Sequence, residues 1–385
     1  MCDALQNEGR GEPDAELCRR EALNRAGSKE ASATADSNAG SDVVVNCSWF
    51  RTNQFSLEVL LHHRLRGHPC RVGDPSEAQL YYVPFYTGLE IKRSWGNQAA
   101  AVDRFNRVLN PLVTSPYFQK RRGLDHFMAF GRMGMEFGFC HGFVTWLGNV
   151  TKLMIEAGWN QEGFRTGREI GVPYPTGFHP AELADVNRHR RSVRGAARDI
   201  LVSYAGAVGR PYGIWAQRFG TAQLRARLAH ECERMRDKCR LVVCDYVQDN
   251  CSPSALHDLF MRSTFCLQPQ GDSPTRRSTF DALLAGCIPI FFHTDSFQSQ
   301  YEEALGVNAS EVSVFIAPER LVSESWSLYA ELEAIDEARR KRMQSAIVDL
   351  VPRIVYGKEH VGSAWKDAVD IALEGVMEKA AVGSR

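Results

Sequence analysis

Arg276 and Arg277 follow closely on the polar run Gln270-Gly271-Asp272-Ser273, and Asp281 lies one helical turn beyond Arg277. Guanidinium groups suit phosphate oxygens because they are planar, permanently charged and offer paired donors. The free N–H groups and positive dipole end of a helix start favour an anion at the same place. Asp281 would share a helix face with Arg277, and a carboxylate there can accept hydrogen bonds from two sugar hydroxyls. The set reads as a nucleoside-diphosphate site, with the helix end and the arginines on phosphate and Asp281 on ribose. The same spacing also describes a surface ion pair on an ordinary capped helix, and spacing alone does not choose between the two.

Such a cluster needs a scaffold. Thr264 to Leu267 is a short apolar run broken by Gln268-Pro269-Gln270-Gly271. Ser273 is the expected N-cap, with Pro274 at the first helical position, where its missing N–H costs nothing. The helix is predicted to run to about Ala285, with Gly286 as the residue that ends it. Ile288 to Phe292 is an apolar run of strand length. Strand, helix and strand in this order imply a parallel sheet. The loop before the helix then sits at the carboxyl edge, where open α/β sheets bind ligands.

The same strand-end rule sorts the other candidates. A strand from Ile200 to Tyr204 leads into a turn with Gly206, followed by Arg210; backbone N–H groups of such a turn can approach phosphate. The strand from His126 to Phe130 is entered by Asp125 and His126 and left by Arg132 and Glu136. Geometry therefore favours Arg132 and Glu136 as cleft residues, with His126 read first as a core histidine. Residues 79–86 are predicted as a strand ended by Gly88, which directs Tyr86 toward the cleft as a sugar-stacking candidate. His179 lies in a rigid stretch with Pro173, Pro175 and Pro180 and is placed toward the cleft as well. His293 and Asp295 stand at the end of the Ile288 strand. His62-His63 read as solvent-exposed, since adjacent residues do not share a helix face. Further strands are expected at 151–156, 168–172, 240–244 and 312–317. Helices are expected at 54–66, 97–118, 218–237, 254–262 and about 362–380.

Several long stretches resemble one family in its own order: Trp49-Phe-Arg-Thr-Asn-Gln-Phe55, Val83-Pro-Phe-Tyr-Thr-Gly88, Asp125-His-Phe-Met-Ala-Phe-Gly-Arg132, Val172-Pro-Tyr-Pro-Thr-Gly-Phe-His-Pro180, Ser203-Tyr-Ala-Gly-Ala207 and Gln268-Pro-Gln-Gly-Asp-Ser273 with Arg276-Arg-Ser278. They cover roughly residues 48–375. The chain resembles the exostosin-like glycosyltransferases of family 47, and among them the plant xyloglucan galactosyltransferases of the KATAMARI type. The resemblance implies a GT-B architecture, two Rossmann-like α/β domains with parallel sheets facing a cleft. It implies an inverting transfer of galactose from UDP to a xylose branch of xyloglucan. The donor set is then Gly206, Arg210, Gln270, Gly271, Asp272, Ser273, Arg276, Arg277, Ser278 and Asp281. Tyr86, Arg132 and His179 would meet the acceptor. Glu136 is the first choice of base, with His126 or Asp125 the second. Two positions depart from the family pattern: Glu136 stands where Asp is usual, and Met135 where Trp is usual. No Asp-X-Asp triplet occurs, so no metal cofactor is expected. Rival readings are a family transferase using UDP-galacturonic acid or UDP-arabinose, and a non-catalytic relative that binds glycan or nucleotide. A Rossmann dehydrogenase is disfavoured, because no Gly-X-Gly-X-X-Gly opens an early helix.

At 385 residues the chain suits two domains. The expected division is a disordered segment 1–41, an acceptor domain 42–198, a nucleotide-sugar domain 199–350 and a helical segment 351–385. The 46 basic and 46 acidic residues cancel, which gives no support for nucleic acid as a partner. No apolar window of about 18 residues marks a membrane helix, and the N-terminus has no signal-peptide pattern. The resemblance implies a Golgi enzyme with an anchor, a stem and a first strand before Trp49, possible complexes with other Golgi glycosyltransferases among them. Neither anchor nor strand is found, so the expectation is a truncated form or a poor stand-in for the strand at Asp42 to Val45. Cys232, Cys239, Cys244 and Cys251 are not spaced like zinc ligands. Disulfides in an oxidising lumen are expected, with scattered buried thiols as the rival. Sequons at Asn46, Asn149, Asn250 and Asn308 point the same way.

Overall fold

The computed structural model describes residues 6–27, 47–94, 97–134, 136, 147–157, 167–208, 220–244, 251–360 and 365–382. Asp42 to Val45, Asn46, Arg210 and Asn250 lie outside these. In the first lobe, α1 (Ala15–Gly27), α2 (Leu57–Arg66), β1 (Tyr81–Tyr82), α3 (Thr87–Arg93), α4 (Gln98–Thr114), α5 (Pro116–Arg121), β2 (His126–Met133), β3 (Thr151–Glu156), β4 (Glu169–Gly171) and α6 (Leu183–Arg194) follow in order. The sheet order is β1-β2-β3-β4, and every pair is parallel. β2 and β3 are buried almost along their whole length, as a parallel strand covered on both faces must be, with the apolar centres Phe127 to Phe130 and Leu153 to Ile155.

The second lobe holds β5 (Ile200–Gly206), α7 (Thr221–Met235), β6 (Cys239–Val243), α8 (Pro253–Met261), β7 (Ser263–Gln268), α9 (Arg277–Leu284), β8 (Ile288–Phe291), α10 (Gln298–Leu305), α11 (Ala309–Val312), β9 (Val314–Phe315), α12 (Leu328–Glu333) and α13 (Glu337–Leu350). Its sheet order is β6-β5-β7-β8-β9, again parallel throughout. The last described helix, α14 (Ala368–Val382), returns to the first lobe. There Arg121 donates to Ala380 O at 2.7 Å and Arg168 to Lys379 O at 3.0 Å. A Cβ added to Gly375 would stand 3.1 Å from Ile170 Cδ1, so the helix lies close against β4. One apolar core runs through both lobes and includes Leu57, Phe127, Leu153, Val202, Phe265 and Ile290.

Four expectations are corrected. Residues 6–27 are not disordered: α1 buries Leu17 and Cys18, and Cys18 is disulfide-bonded to Cys47. Glu21 on α1 accepts from the Ser48 N–H and hydroxyl at 2.8 and 2.9 Å. The strand expected at 79–86 is only Tyr81–Tyr82, and Gly88 lies inside α3. The carboxylate of Glu58 on α2 explains this, because it accepts the Gly88 N–H at 2.6 Å and the Thr87 hydroxyl at 2.7 Å and so nucleates the helix start. The expected strand 312–317 is likewise reduced to Val314–Phe315. Finally, the helix after the arginines begins at Arg277, with Arg276 at the cap position. Ser273 and Pro274 belong to the loop, for a reason that lies in the other lobe. Gly286 does end the helix, with φ +69°.

Candidate donor site between the lobes

The loop 269–276 joins β7 to α9 at the carboxyl edge of the second sheet. Its shape is held by Arg225 of α7, which is 7% exposed. Arg225 Nε donates to Gln270 O at 3.0 Å, Nη2 to Pro269 O at 3.1 Å and Nη1 to Ala207 O at 3.0 Å. One guanidinium therefore ties the donor loop to Ala207, the residue after Gly206, which ends β5. Thr221, at the start of α7, adds a bond from its hydroxyl to Gly271 O at 3.2 Å. A Cβ on Gly271 would come within 1.6 Å of Arg276 Nη2, so any side chain there would displace that guanidinium.

Arg276 Nε is buried and has no hydrogen-bond partner among the described residues. Desolvation and the like charge of Arg225 lower its pKa, against the pull of Tyr174, Glu156 and Asp272. A guanidinium in such a place is costly until an anion meets it. Arg277 is engaged on both sides: Nε stands 3.3 Å from Asp281 Oδ2, and Nη1 donates to Thr52 O in the first lobe. The Arg277–Asp281 pair is 19% exposed at each side chain, so it lines the junction of the lobes and is no free surface pair. Burial pushes the Asp281 carboxyl up, and Arg277 offsets part of that shift. Ser278 of α9 donates to the Gln268 side chain. Asp272 is exposed at the loop tip.

The first lobe grips the same loop. Glu156, at the leaving end of β3, accepts from Thr275 N at 3.2 Å and from the Thr275 hydroxyl. The Tyr174 hydroxyl donates onward to Thr275 Oγ1 at 2.9 Å. Ser273 Oγ lies 3.2 Å from Met133 Sδ at the end of β2. This grip is why the helix starts late: the Thr275 N–H that an N-cap at Ser273 would have taken is held by Glu156. Glu156 is fully buried, and burial pushes its carboxyl up.

At the leaving end of β2, Arg132 and Glu136 form a two-pronged ion pair, Nε to Oε2 at 2.7 Å and Nη2 to Oε1 at 2.6 Å. The Arg132 guanidinium lies 4.3 Å over the Phe55 ring. Each carboxylate oxygen of Glu136 keeps a second lone pair. Tyr86 is half-buried on the same side of the lobe, with its hydroxyl 2.6 Å from His62 Nδ1, so His62 is engaged rather than solvent-exposed. The structure does not bring Asp125 and His126 to this edge. They pair at 2.8 Å at the opposite end of β2, under the Tyr81 ring at 4.7 Å, roughly 23 Å away along an eight-residue strand. His179 is also corrected: it is 1% exposed, and both ring nitrogens are used, Nε2 with Thr52 Oγ1 and Nδ1 with Tyr356 O, each at 2.8 Å. Burial lowers its pKa to about 3, so it is a neutral pin under Thr52 rather than a cleft residue. His293 caps the short turn after β8 by accepting the Asp295 N–H at 3.1 Å.

Sequence reasoning passed over Glu156 and Arg225. Glu156 had a signal, since a carboxylate ending the apolar run Leu153-Met154-Ile155 obeys the rule applied to Glu136. Arg225 had none, being one of several arginines on a basic helix. A cavity of about 360 Å³ opens elsewhere, lined by Trp49, Phe178, His189 and His257 beside α1. It adjoins the helix that enters β7, away from the donor loop. Among the described residues, four disulfides pair Cys18 with Cys47, Cys232 with Cys239, Cys244 with Cys251 and Cys266 with Cys287.

Two parallel α/β lobes whose strand ends meet at a loop carrying Arg276 have the GT-B arrangement of sugar-nucleotide transferases. The Exostosin GT47 domain matches residues 15–330. The chain is 36% identical to xyloglucan galactosyltransferase XLT2 of Arabidopsis thaliana over 98% of its own length and 69% of that protein's. It is 33% identical to xyloglucan-specific galacturonosyltransferase 1 of the same plant, over 86% of this chain and 50% of that one. A solved structure of Anabaena HepE with UDP and glucose aligns over 80% of this chain and 100% of that one, at a TM-score of 0.34 and 10% identity. The chain belongs to the exostosin-like glycosyltransferases of family 47.

Proposed function

We propose that this enzyme moves galactose from UDP-galactose, with inversion, onto xylosyl side chains of xyloglucan in plant cell-wall synthesis. The observation that supports it most is the buried Nε of Arg276 beside Gly271, which has no hydrogen-bond partner among the described residues. A leaving diphosphate supplies the oxygens such a group lacks. In this reading Arg276, Arg277 and the start of α9 hold the diphosphate as charge develops on it. Asp281 takes the ribose hydroxyls. Gln270, Gly271, Asp272, Ser273, Ser278 and Gly206 shape the donor pocket, with Arg210 beside them. Glu136 is the base that accepts the acceptor's proton, and Arg132 and Tyr86 flank the incoming sugar. The transfer uses no metal, because the sequence has no Asp-X-Asp triplet to hold a metal diphosphate.

A galacturonic acid donor is the second reading, favoured by the 33% identity to the galacturonosyltransferase. We place the protein in the Golgi lumen, an oxidising compartment that suits the four disulfides among the described residues, where complexes with other glycosyltransferases would form. No described helix is long and apolar enough to cross a membrane. The test is transfer to galactose-free xyloglucan from UDP-galactose, UDP-galacturonic acid and UDP-arabinose in turn, with and without EDTA. Galactose transfer that survives EDTA is expected. Reversible loss in EDTA, in a chain that circular dichroism shows to be still folded and also in a His360→Gln variant, would remove the metal-free mechanism, and UDP binding without turnover from any donor would leave a binding protein.

A further inference from the structure

We propose that His68, His360 and Asp370 bind a divalent transition-metal ion, zinc foremost, which staples α14 to the first lobe away from the donor site. His68 lies just past the end of α2, His360 in the connection returning from the second lobe, and Asp370 in the first turn of α14. One donor atom from each lies within 4.8 Å of the other two.

The local bonds favour a metal over a simple ion pair. His360 Nδ1 is buried and has no hydrogen-bond partner among the described residues, and Asp370 Oδ1 stands 3.6 Å from it, too far for a hydrogen bond. Asp370 Oδ2 accepts the Asp367 N–H at 3.1 Å, which turns Oδ1 toward the histidines. The His68 ring lies 4.8 Å from that of His360 and is held by the Cys70 N–H, which donates to Nδ1 at 3.2 Å. An ion pair with Asp370 needs one imidazole. A second ring at this distance adds nothing to it. A metal gives both rings a use: His360 Nδ1 has no bond to give up among the described residues, and His68 presents a lone pair once it releases the Cys70 N–H.

Two imidazoles and one carboxylate suit zinc, cobalt, nickel or copper, whereas magnesium and calcium prefer oxygen ligands throughout. In a tetrahedral zinc site the donor atoms stand about 3.3 Å apart, so closing round the ion takes side-chain shifts of about 1 Å. The long Cys70 bond to His68 yields to the metal, or the ring exchanges tautomers and binds through Nε2. The fourth position is open to water or to the thiolate of Cys70, an exposed free cysteine two residues from His68. Beneath the three side chains lies a rigid base, the buried pair of Arg64 and Asp367 at 3.0 Å, with the Gly357 N–H donating to Asp367 Oδ2 at 2.8 Å.

The full chain, stripped with EDTA and dialysed, is titrated with Zn²⁺ by calorimetry and with Co²⁺ by visible absorption. One ion per chain, intense cobalt bands and a melting temperature raised by a few degrees are expected. His360→Gln and Asp370→Asn are each expected to weaken zinc binding by about tenfold or more. His230→Ala, on an exposed position of α7, should leave it unchanged. Circular dichroism and metal-free melting confirm that the variants fold. Absence of saturable binding at one equivalent, or equal affinity in folded His360→Gln, overturns the site.

Discussion

Arg276 and Arg277 are neighbours with separate duties. Arg277 is already bonded to Thr52 and Asp281, so it fixes how the lobes meet as well as what they hold. Arg276 has a buried nitrogen with no hydrogen-bond partner among the described residues. Arg276→Ala is expected to weaken UDP binding by about 1–3 kcal/mol, the range for a lost charge-assisted bond, with little change in unfolding free energy. Arg277→Ala should weaken UDP by a similar amount and also lower stability in urea melts. Unchanged UDP affinity in Arg276→Ala would remove the diphosphate reading. Glu136→Gln keeps the length of the side chain and one of the two bonds from Arg132 but cannot take a proton, so kcat should fall by about a hundredfold or more with KM for donor retained. Arg276 and Arg277 could be singled out because strand, glycine loop and cationic helix start are contiguous in the chain. The roles of Glu156 and Arg225 rest on partners distant along the chain, Thr275 for Glu156 and Pro269 and Gln270 for Arg225, which no local pattern encodes.

The donor unit β7–loop–α9–β8 is built from local rules, and most of its strands and helices can be read from them. Its helix start is the exception. Ser273-Pro274 has the chemistry of an N-cap, yet Glu156 reaches across from β3 and takes the Thr275 N–H. A bond between lobes outweighs a cap worth about 1 kcal/mol. The misread α1 follows the same logic: its composition is that of an unfolded segment, and Cys47 and Ser48 supply the anchors that composition cannot reveal. Cys266 on β7 and Cys287 just before β8 close the donor unit with a disulfide spanning 21 residues. Replacing both by Ser should lower unfolding free energy by about 3 kcal/mol, mainly by freeing the unfolded chain. Urea melts of the double variant, with UDP titration alongside, check this. Equal midpoints for parent and variant would show the bridge to be dispensable.

Across the molecule, three histidines are held neutral by desolvation: His179 and His257 with pKa lowered to about 3, and His189 to about 4. In the unfolded chain each titrates near the ordinary value of about 6.5. As pH falls below that value the unfolded state takes up protons that the fold refuses. Stability is therefore full above about pH 6.5 and declines toward pH 4. Glu58, Glu156, Asp281 and Asp367, whose carboxyls are pushed up by burial, act in the opposite sense as pH rises from about 4.5. His257 packs against Trp49 and His189, so His257→Phe keeps an aromatic ring and removes one titration. Its stability should fall less steeply than the parent's between pH 6.5 and 4.5; parallel slopes would show that His257 is protonated in the fold.

The two-lobe plan was legible from the order of strands and glycine turns, whereas the destination of α14 was not, because its apolar face fits either sheet. That destination matters during synthesis. A ribosome that has released residues up to about 350 has exposed both sheets, but the flank of β4 still lacks Ala368–Val382. The amino-terminal half therefore matures last, and any product stopped short of that stretch leaves the ribosome with a hydrophobic gap for chaperones to find.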